Sequence, residues 1–314
     1  MTGWIIEGFE NVPDAARRGA VTIGNFDGVH VGHQTLLGRA RALADREGER
    51  LCAATFDPAP AVVAAPDKAP DPICPLEVRT RRLLDCGADL VVVVPTTPSL
   101  LAMSPEAFVR DLLVGRLAPR HVIEGAGFAF GHHRSGSIDT LRALAPDGGF
   151  EVTEVSPVRL DLPGAGEVRV SSSLIRRLIR AGDVASAGRC LGRDYTLYGR
   201  VVGGEQRGRV LKYPTANVDP GLLIIPADGI YAAWADLPGR RRPAAVSIGN
   251  KPTFGPVTHR VIEANLIDAE GDFYGLQIAL TFLARLRETV KFPDAESLRA
   301  QIAKDVERVR AICR

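Results

Sequence analysis

The sequence predicts two folds in succession: a doubly wound α/β domain over residues 1–187 and, over residues 188–314, an antiparallel β-barrel or sandwich that ends in a helix. Three observations carry this reading. Short apolar runs alternate with amphipathic segments through the first half, the pattern of a parallel sheet covered by helices on both faces. From Tyr195 to about Phe282 the runs are short, rich in Val, Ile and Tyr, and broken by Gly and Pro, as in antiparallel all-β folds. A chain of 314 residues is also long for one compact core.

In chain order, Ala20–Ile23, Leu51–Phe56, Leu90–Val94 and His121–Glu124 read as buried parallel strands, and Gln34–Arg46, Leu76–Cys86 and Pro105–Leu117 as helices. Connections in such a sheet are right-handed, and ligands bind beyond the carboxyl ends of its strands. Val168–Ile179 places serines at a strand exit before an amphipathic helix. The pattern changes after Leu191-Gly-Arg-Asp-Tyr195. At the end, Asp294–Arg310 carries apolar residues at 298, 302, 306 and 309 among charges, which predicts an amphipathic closing helix.

Composition narrows the partners. Hydrophobic residues make up 46% and charged residues 24%, ordinary for a globular protein. With 39 basic and 37 acidic residues the formal charge is only +2, so no extended basic field invites nucleic acid, whereas a nucleotide is compatible. The start, Met1-Thr-Gly-Trp-Ile-Ile-Glu, lacks a basic and apolar leader, and no run approaches the ~20 apolar residues of a bilayer span. The expectation is a cytoplasmic protein with no membrane partner. The five cysteines, at 52, 74, 86, 190 and 313, show no CxxC spacing, which argues for reduced, packed thiols rather than disulfides or zinc.

Chemistry concentrates in Val21-Thr-Ile-Gly-Asn-Phe-Asp-Gly-Val-His-Val-Gly-His33. A β-prone run leads into a turn at Gly24, Asn25, Phe26, Asp27 and Gly28, and His30 and His33 then stand where a helix begins. Unpaired N–H groups and the positive end of the helix dipole suit phosphate there, and imidazoles three residues apart share one face. A metal site or two solvated caps is the alternative. Ser172, Ser173 and Arg176 form a second hydroxyl-and-guanidinium set, for which capping is the competing reading. Thr215 and Asn217 follow Pro214 two residues apart, so that in an extended segment they face one way as hard oxygen donors. A β-turn with local hydrogen bonds is their alternative.

The string Gly24-Asn-Phe-Asp-Gly-Val-His30-Val-Gly-His33 resembles the signature of the HxGH nucleotidyltransferases, in its flavin-adenylylating form, and Ser-Ser-x-x-Ile-Arg176 resembles that family's second phosphate motif. Gly229-Ile-Tyr231, Ile248–Phe254, Val261-Ile-Glu263, Phe273-Tyr-Gly275 and Leu286–Phe292 follow in the order of bacterial riboflavin kinases. Together they resemble a bifunctional riboflavin kinase/FAD synthetase. The resemblance implies a Rossmann-like nucleotidyltransferase domain followed by a Greek-key barrel kinase, with riboflavin, FMN and ATP as substrates and Mg²⁺ as cofactor. It assigns Glu263 as general base toward the riboflavin hydroxyl, Thr215 and Asn217 to Mg²⁺ and phosphate, and Gly204 and Gly208 to close backbone approach to phosphate. Gly24, Asn25, Phe26, Asp27, His30, His33, Ser172, Ser173 and Arg176 serve the transferred nucleotide, and Phe128 and Arg287 the flavin.

Several positions depart from the family pattern. Lys212, Gly203 and Asn265 replace a usual Gly, His and His; Ala59 stands for a usual His; and Gly125-Ala-Gly-Phe-Ala-Phe-Gly131 lacks the usual Asp at 127 and Arg at 129. These losses lie around the expected flavin and nucleotide pocket and point to altered flavin or nucleobase choice. The competing functions are a kinase whose transferase half is inactive or redirected, and a non-enzymatic flavin-binding module. A homo-oligomer is compatible with the sequence.

Overall fold

The computed structural model describes residues 3–203, 215–250 and 260–314. Its contacts divide the chain into two compact units: Pro75–Val170 with the chain up to Pro70, and Ser171–Arg314 with Asp71–Cys74.

The first unit is built on a parallel sheet. Strands β1 (Trp4–Glu7), β2 (Ala20–Ile23), β3 (Leu51–Asp57), β4 (Leu90–Pro95) and β5 (His121–Gly125) are followed by two short strands, β6 (Ala129–Phe130) and β7 (Gly136–Ser137), and then by β8 (Glu151–Val155). The sheet runs β1-β4-β3-β2-β5-β8, with every pairing parallel. Alternate residues serve opposite faces. Ala20, Leu51, Ala53, Val91 and Ile123 pack under Leu36, Leu37, Ala40 and Ala44 of helix Val31–Glu47. Val21, Ile23, Cys52, Val92 and Val122 meet Phe108, Val109, Leu113 and Leu117 on the other face. Each fully buried Leu or Phe contributes about 1.5–3 kcal/mol, so two covered faces account for the doubly wound form.

The helix expected over Pro105–Leu117 is present with a difference. After one α-turn at Pro105–Ala107 it continues with wide, i→i+5 hydrogen bonding through Phe108–Leu117. β1 and β8 lie outside the strands expected from the sequence. Both are edge strands whose residues are mostly exposed or half-buried: the apolar run of β1, Trp4-Ile5-Ile6, is only three residues long, and β8 mixes polar with apolar residues.

The second unit contains the hairpin-free start Ser172–Arg180 and Val184–Leu191, both helical, and a closed barrel. After the ribbon β9 (Arg159–Leu162) and β10 (Gly166–Arg169) of the first unit, the barrel strands are β11 (Tyr195–Val202), β12 (Thr215–Asp219), β13 (Gly229–Leu237), β14 (Arg240–Asn250), β15 (Arg260–Leu266) and β16 (Gln277–Arg287). Their order, β11-β12-β15-β14-β13-β16 with β16 returning to β11, is antiparallel throughout and of Greek-key type. Closure decides for barrel over sandwich. Inside, Phe282 packs edge-on against Tyr231 at 5.3 Å and beside Tyr195 at 6.0 Å. Outside, Ile230, Ala232 and Leu286 are covered by Val309 of the closing helix Ala295–Ile312, which Asp294 caps through the Ser297 N–H at 2.7 Å.

One ion pair ties that helix down. Arg287 donates from Nε and Nη2 to the Asp305 carboxylate, at 3.1 Å and 2.7 Å, and the Asp305 side chain is only 4% exposed. Removing one partner of such a pair strands the other charge, at a cost of about 3–5 kcal/mol. Asp305→Asn is therefore expected to lower the denaturant midpoint of the barrel unit by the equivalent of about 3 kcal/mol. A wild-type midpoint in urea would refute the structural role given to this pair.

Among the described residues no helix is long and apolar enough to cross a membrane, and all five cysteines are free thiols.

Candidate active sites

The first site grows from the exit of β2. Chain order runs from β2 outward to β3 and β4, then crosses to β5 on the other side, so the reversal of strand order falls between β2 and β5. Open α/β sheets bind ligands at such a crevice. The turn that follows is held in sparsely populated backbone: Phe26 at φ 47°, Gly28 at φ 80° and Val29 at φ 40°. Such non-glycine residues cost about 1–3 kcal/mol each and persist only where surroundings over-determine them. Here Phe26 and Val29 are buried in the core, and the Asn25 carbonyl accepts hydrogen bonds from Thr55 Oγ1 and Arg79 Nη1, both at 3.0 Å. The Gly24 N–H donates to the Ala54 carbonyl at 3.0 Å, and Asp27 is buried.

His30 is the N-cap of helix Val31–Glu47, its Nδ1 accepting from the His33 N–H at 3.3 Å. That bond makes Nδ1 an acceptor and leaves Nε2 as the donor of the neutral ring. The His33 ring stacks on it with centroids 3.6 Å apart and meets Phe26 edge-on at 5.1 Å. Gly32 allows the stack: a Cβ there would stand 3.1 Å from two atoms of the His30 ring. The imidazoles expected to share a face do so. Burial, and then the neighbouring His30, hold the His33 imidazole well below the ordinary histidine range, so it is neutral near pH 7.

The unfolded chain takes up a proton near pH 6.5 that folded His33 refuses until lower pH, so the unfolded state binds more protons in that window and stability falls as pH falls. Below pH 6.5 the first unit is expected to lose up to about 1.4 kcal/mol per pH unit through this residue. Urea titrations of wild type and His33→Gln should diverge in slope there; parallel slopes would rule the linkage out.

Sequence reasoning passed over Glu124. It ends an apolar run on β5 and is buried, with Oε1 accepting the Ile23 N–H at 2.7 Å. Burial pushes its carboxyl well above the usual range, in spite of that bond. It clamps β5 to the end of β2 directly beneath Gly24. The only prior signal was a glutamate where a strand of that kind ordinarily carries an apolar residue. Phe128 is half-buried and stacks on Phe130 at 5.3 Å, which in turn meets Phe108 at 5.4 Å.

Ser172, Ser173 and Arg176 belong to the second compact unit. Capping falls to Ser171, whose Oγ accepts from the Leu174 N–H at 3.2 Å, so Ser172 and Ser173 occupy the first turn after the cap. Arg176 Nε donates to the Asp71 carbonyl at 2.8 Å, and Arg180 pairs with the Asp71 carboxylate at 2.8 Å.

On the barrel, Thr215 and Asn217 lie in β12 rather than in a turn. Register sets Asn217 opposite Glu263, Thr215 opposite Asn265, and Ser247 on the other side of Glu263. Their neighbours Ala216, Val218, Ile262, Ala264 and Val246 fill the interior, so the polar set shares the outer face. Directly opposed residues have Cβ atoms about 4.5–5.5 Å apart, close enough for one ligand to touch both. Arg287, expected near flavin, has its guanidinium engaged by Asp305 and the Glu288 carbonyl, with Phe292 beside it at 5.8 Å. Gly204 and Gly208 lie outside the described residues.

Residues 12–174 match the FAD synthetase family model and residues 191–313 the riboflavin kinase model. The bifunctional riboflavin kinase/FMN adenylyltransferase of Escherichia coli K12 is 33% identical over 96% of this chain and 95% of its own. This chain belongs to that family of bifunctional enzymes. The Pseudomonas fluorescens member is 34% identical over 98% of this chain and 97% of its own. A solved structure from Streptococcus pneumoniae, described as a macrolide-efflux protein, covers 99% of both chains at 26% identity with a TM-score of 0.86. As a kinase/adenylyltransferase, the chain carries both enzymatic modules, a parallel α/β sheet with its helices and a closed six-stranded barrel with its final helix.

Proposed function

We propose that the chain converts riboflavin to FMN on the barrel and FMN to FAD at the β2 turn, using ATP twice, with residues 1–187 as the transferase module and 188–314 as the kinase. The observation that carries this reading is the pairing, on one chain, of a stacked His30/His33 pair at a sheet switch point with Asn217 set opposite Glu263.

In the kinase step the riboflavin 5′-hydroxyl oxygen attacks the γ-phosphorus, ADP leaves, and Glu263 accepts the hydroxyl proton. Asn217, directly across the ladder, holds the phosphate side of the reactants against that carboxylate. The hydroxyl of Thr215 and the amide oxygen of Asn217 are hard donors that fit Mg²⁺. When bound, the ion would neutralise charge on the phosphate oxygens. In the transferase step an FMN phosphate oxygen attacks the α-phosphorus and pyrophosphate leaves. His30, through Nε2, and neutral His33 donate hydrogen bonds to the oxygens that gain charge, while the helix N-terminus behind them favours the anion. Ser172, Ser173 and Arg176 hold the triphosphate, and Phe128 supports the flavin ring. Arg287 orders the flavin side of the barrel from its anchorage on Asp305. The reading places the protein in the cytoplasm, with small molecules as its substrates.

Chromatography with mass analysis of the purified protein, given Mg²⁺ with riboflavin and ATP and then with FMN and ATP, tests the reading. FMN in the first mixture and FAD with pyrophosphate in the second are expected. Formation of neither would leave a flavin-binding module.

A further inference from the structure

The loop after β5, Gly125-Ala-Gly-Phe-Ala-Phe-Gly131, contains no acidic side chain. It is fixed by a turn, with the Phe128 N–H donating to the Gly125 carbonyl at 2.8 Å and the Ala126 N–H to Val155 at 3.2 Å. At Gly127 a Cβ would stand only 2.9 Å from Nη2 of Arg169, so the guanidinium fills the space in which a side chain at 127 would begin. Arg169 ends β10, opposite Arg159, whose own guanidinium is paired with Glu167 at 3.2 Å. Among the described residues Arg169 has no hydrogen-bond or ion-pair partner of this kind, and it is exposed. The nearest acid in sequence, Glu124, is buried, and its carboxyl is already committed to the Ile23 N–H. Beside Phe128, then, the loop has no acidic side chain, and the charged group at its surface is the planar guanidinium of Arg169.

A carboxylate at this place accepts hydrogen bonds from amino or imide N–H groups, and a guanidinium donates to oxygen instead. We infer that Arg169, lying over Gly127, is a specificity-determining residue of the transferase site that binds a ring carbonyl oxygen of the substrate, either on the flavin or on the nucleobase. The inference rests on the transferase reading above and deepens it. Gly127 is the enabling residue, because any side chain there displaces the guanidinium; since the atom in the way is the far end of a flexible side chain, Gly127→Asp is accommodated and pairs with Arg169.

The test compares wild type, Arg169→Gln and Gly127→Asp in steady state with FMN and each of ATP, GTP and UTP. The riboflavin kinase rate serves as control for folding. A hydrogen bond from a charged donor corresponds to roughly 10- to 100-fold. Both variants are expected to lose that factor in transferase kcat/KM, with kinase rate unchanged. A rise confined to the KM for FMN assigns the carbonyl to the flavin. A rise in the nucleotide KM seen with GTP and UTP and absent with ATP, whose adenine has no ring carbonyl, assigns it to the base. Unchanged kcat/KM in both variants overturns the inference, as does an equal loss in calorimetric affinity for inorganic tripolyphosphate, which would make Arg169 a phosphate ligand. If wild type forms no dinucleotide at all, the transferase reading fails separately. Calorimetry of FMN and of each nucleotide then decides on Arg169 by the same 10-fold loss or its absence.

Discussion

Glu263→Gln is expected to reduce FMN formation by about 10²–10⁴-fold, the range supplied by a positioned general base, while FAD formation from added FMN stays at the wild-type rate. The amide keeps the size of the carboxylate and its place opposite Asn217 and Ser247, so the ladder and the barrel survive. What it loses is the capacity to take the hydroxyl proton. The loss belongs in kcat, with the KM for riboflavin little changed, because the proton is transferred only in the transition state. The two rates are read in separate assays, one started from riboflavin and one from FMN. A kinase rate within a few-fold of wild type would place the base elsewhere.

The second large effect is the reverse one. His33→Ala is expected to cost FAD formation about 10²–10³-fold, as does removal of one preorganised donor to a developing oxyanion, and to spare FMN formation. It removes the ring that stacks on His30 at 3.6 Å while leaving the His33 N–H that His30 Nδ1 accepts, so the cap of the helix remains. The helix dipole and the remaining His30 Nε2 account for residual turnover. If His33→Ala abolished both reactions in folded protein, the two sites could not be independent.

Much of the fold was legible because burial leaves a direct trace in composition. β2, β3, β4 and β5 are apolar runs since both faces of the sheet are covered, and each was expected within a residue or two of its observed ends. β1 and β8 were not legible: at the sheet edges Trp4, Ile5, Glu151 and Glu154 meet solvent, and neither strand needs an apolar run. Wide hydrogen bonding in Phe108–Leu117 left no trace either, because its apolar residues satisfy an ordinary helical period as well. Of the candidate sites, the placement of His30 and His33 at a helix start was legible from glycine spacing, whereas Thr215, Asn217 and Glu263 were singled out by motif order and their place on adjoining strands came from register. Glu124 was hidden within an apolar run, since a buried acid differs from its surroundings only by the N–H it is given.

By itself the sequence determined the two-module order, the strand-turn-helix that sets two imidazoles at a helix start, and the residue types able to handle phosphate. These depend on periodicity and on backbone chemistry between near neighbours. Only the tertiary structure decided that the second module closes as a barrel, that Glu263 faces Asn217 and Ser247, that Arg287 is bound to Asp305, and that Arg169 lies over Gly127. Each of these joins residues from separate strands or helices. Their proximity depends on register and packing, which a local pattern does not encode.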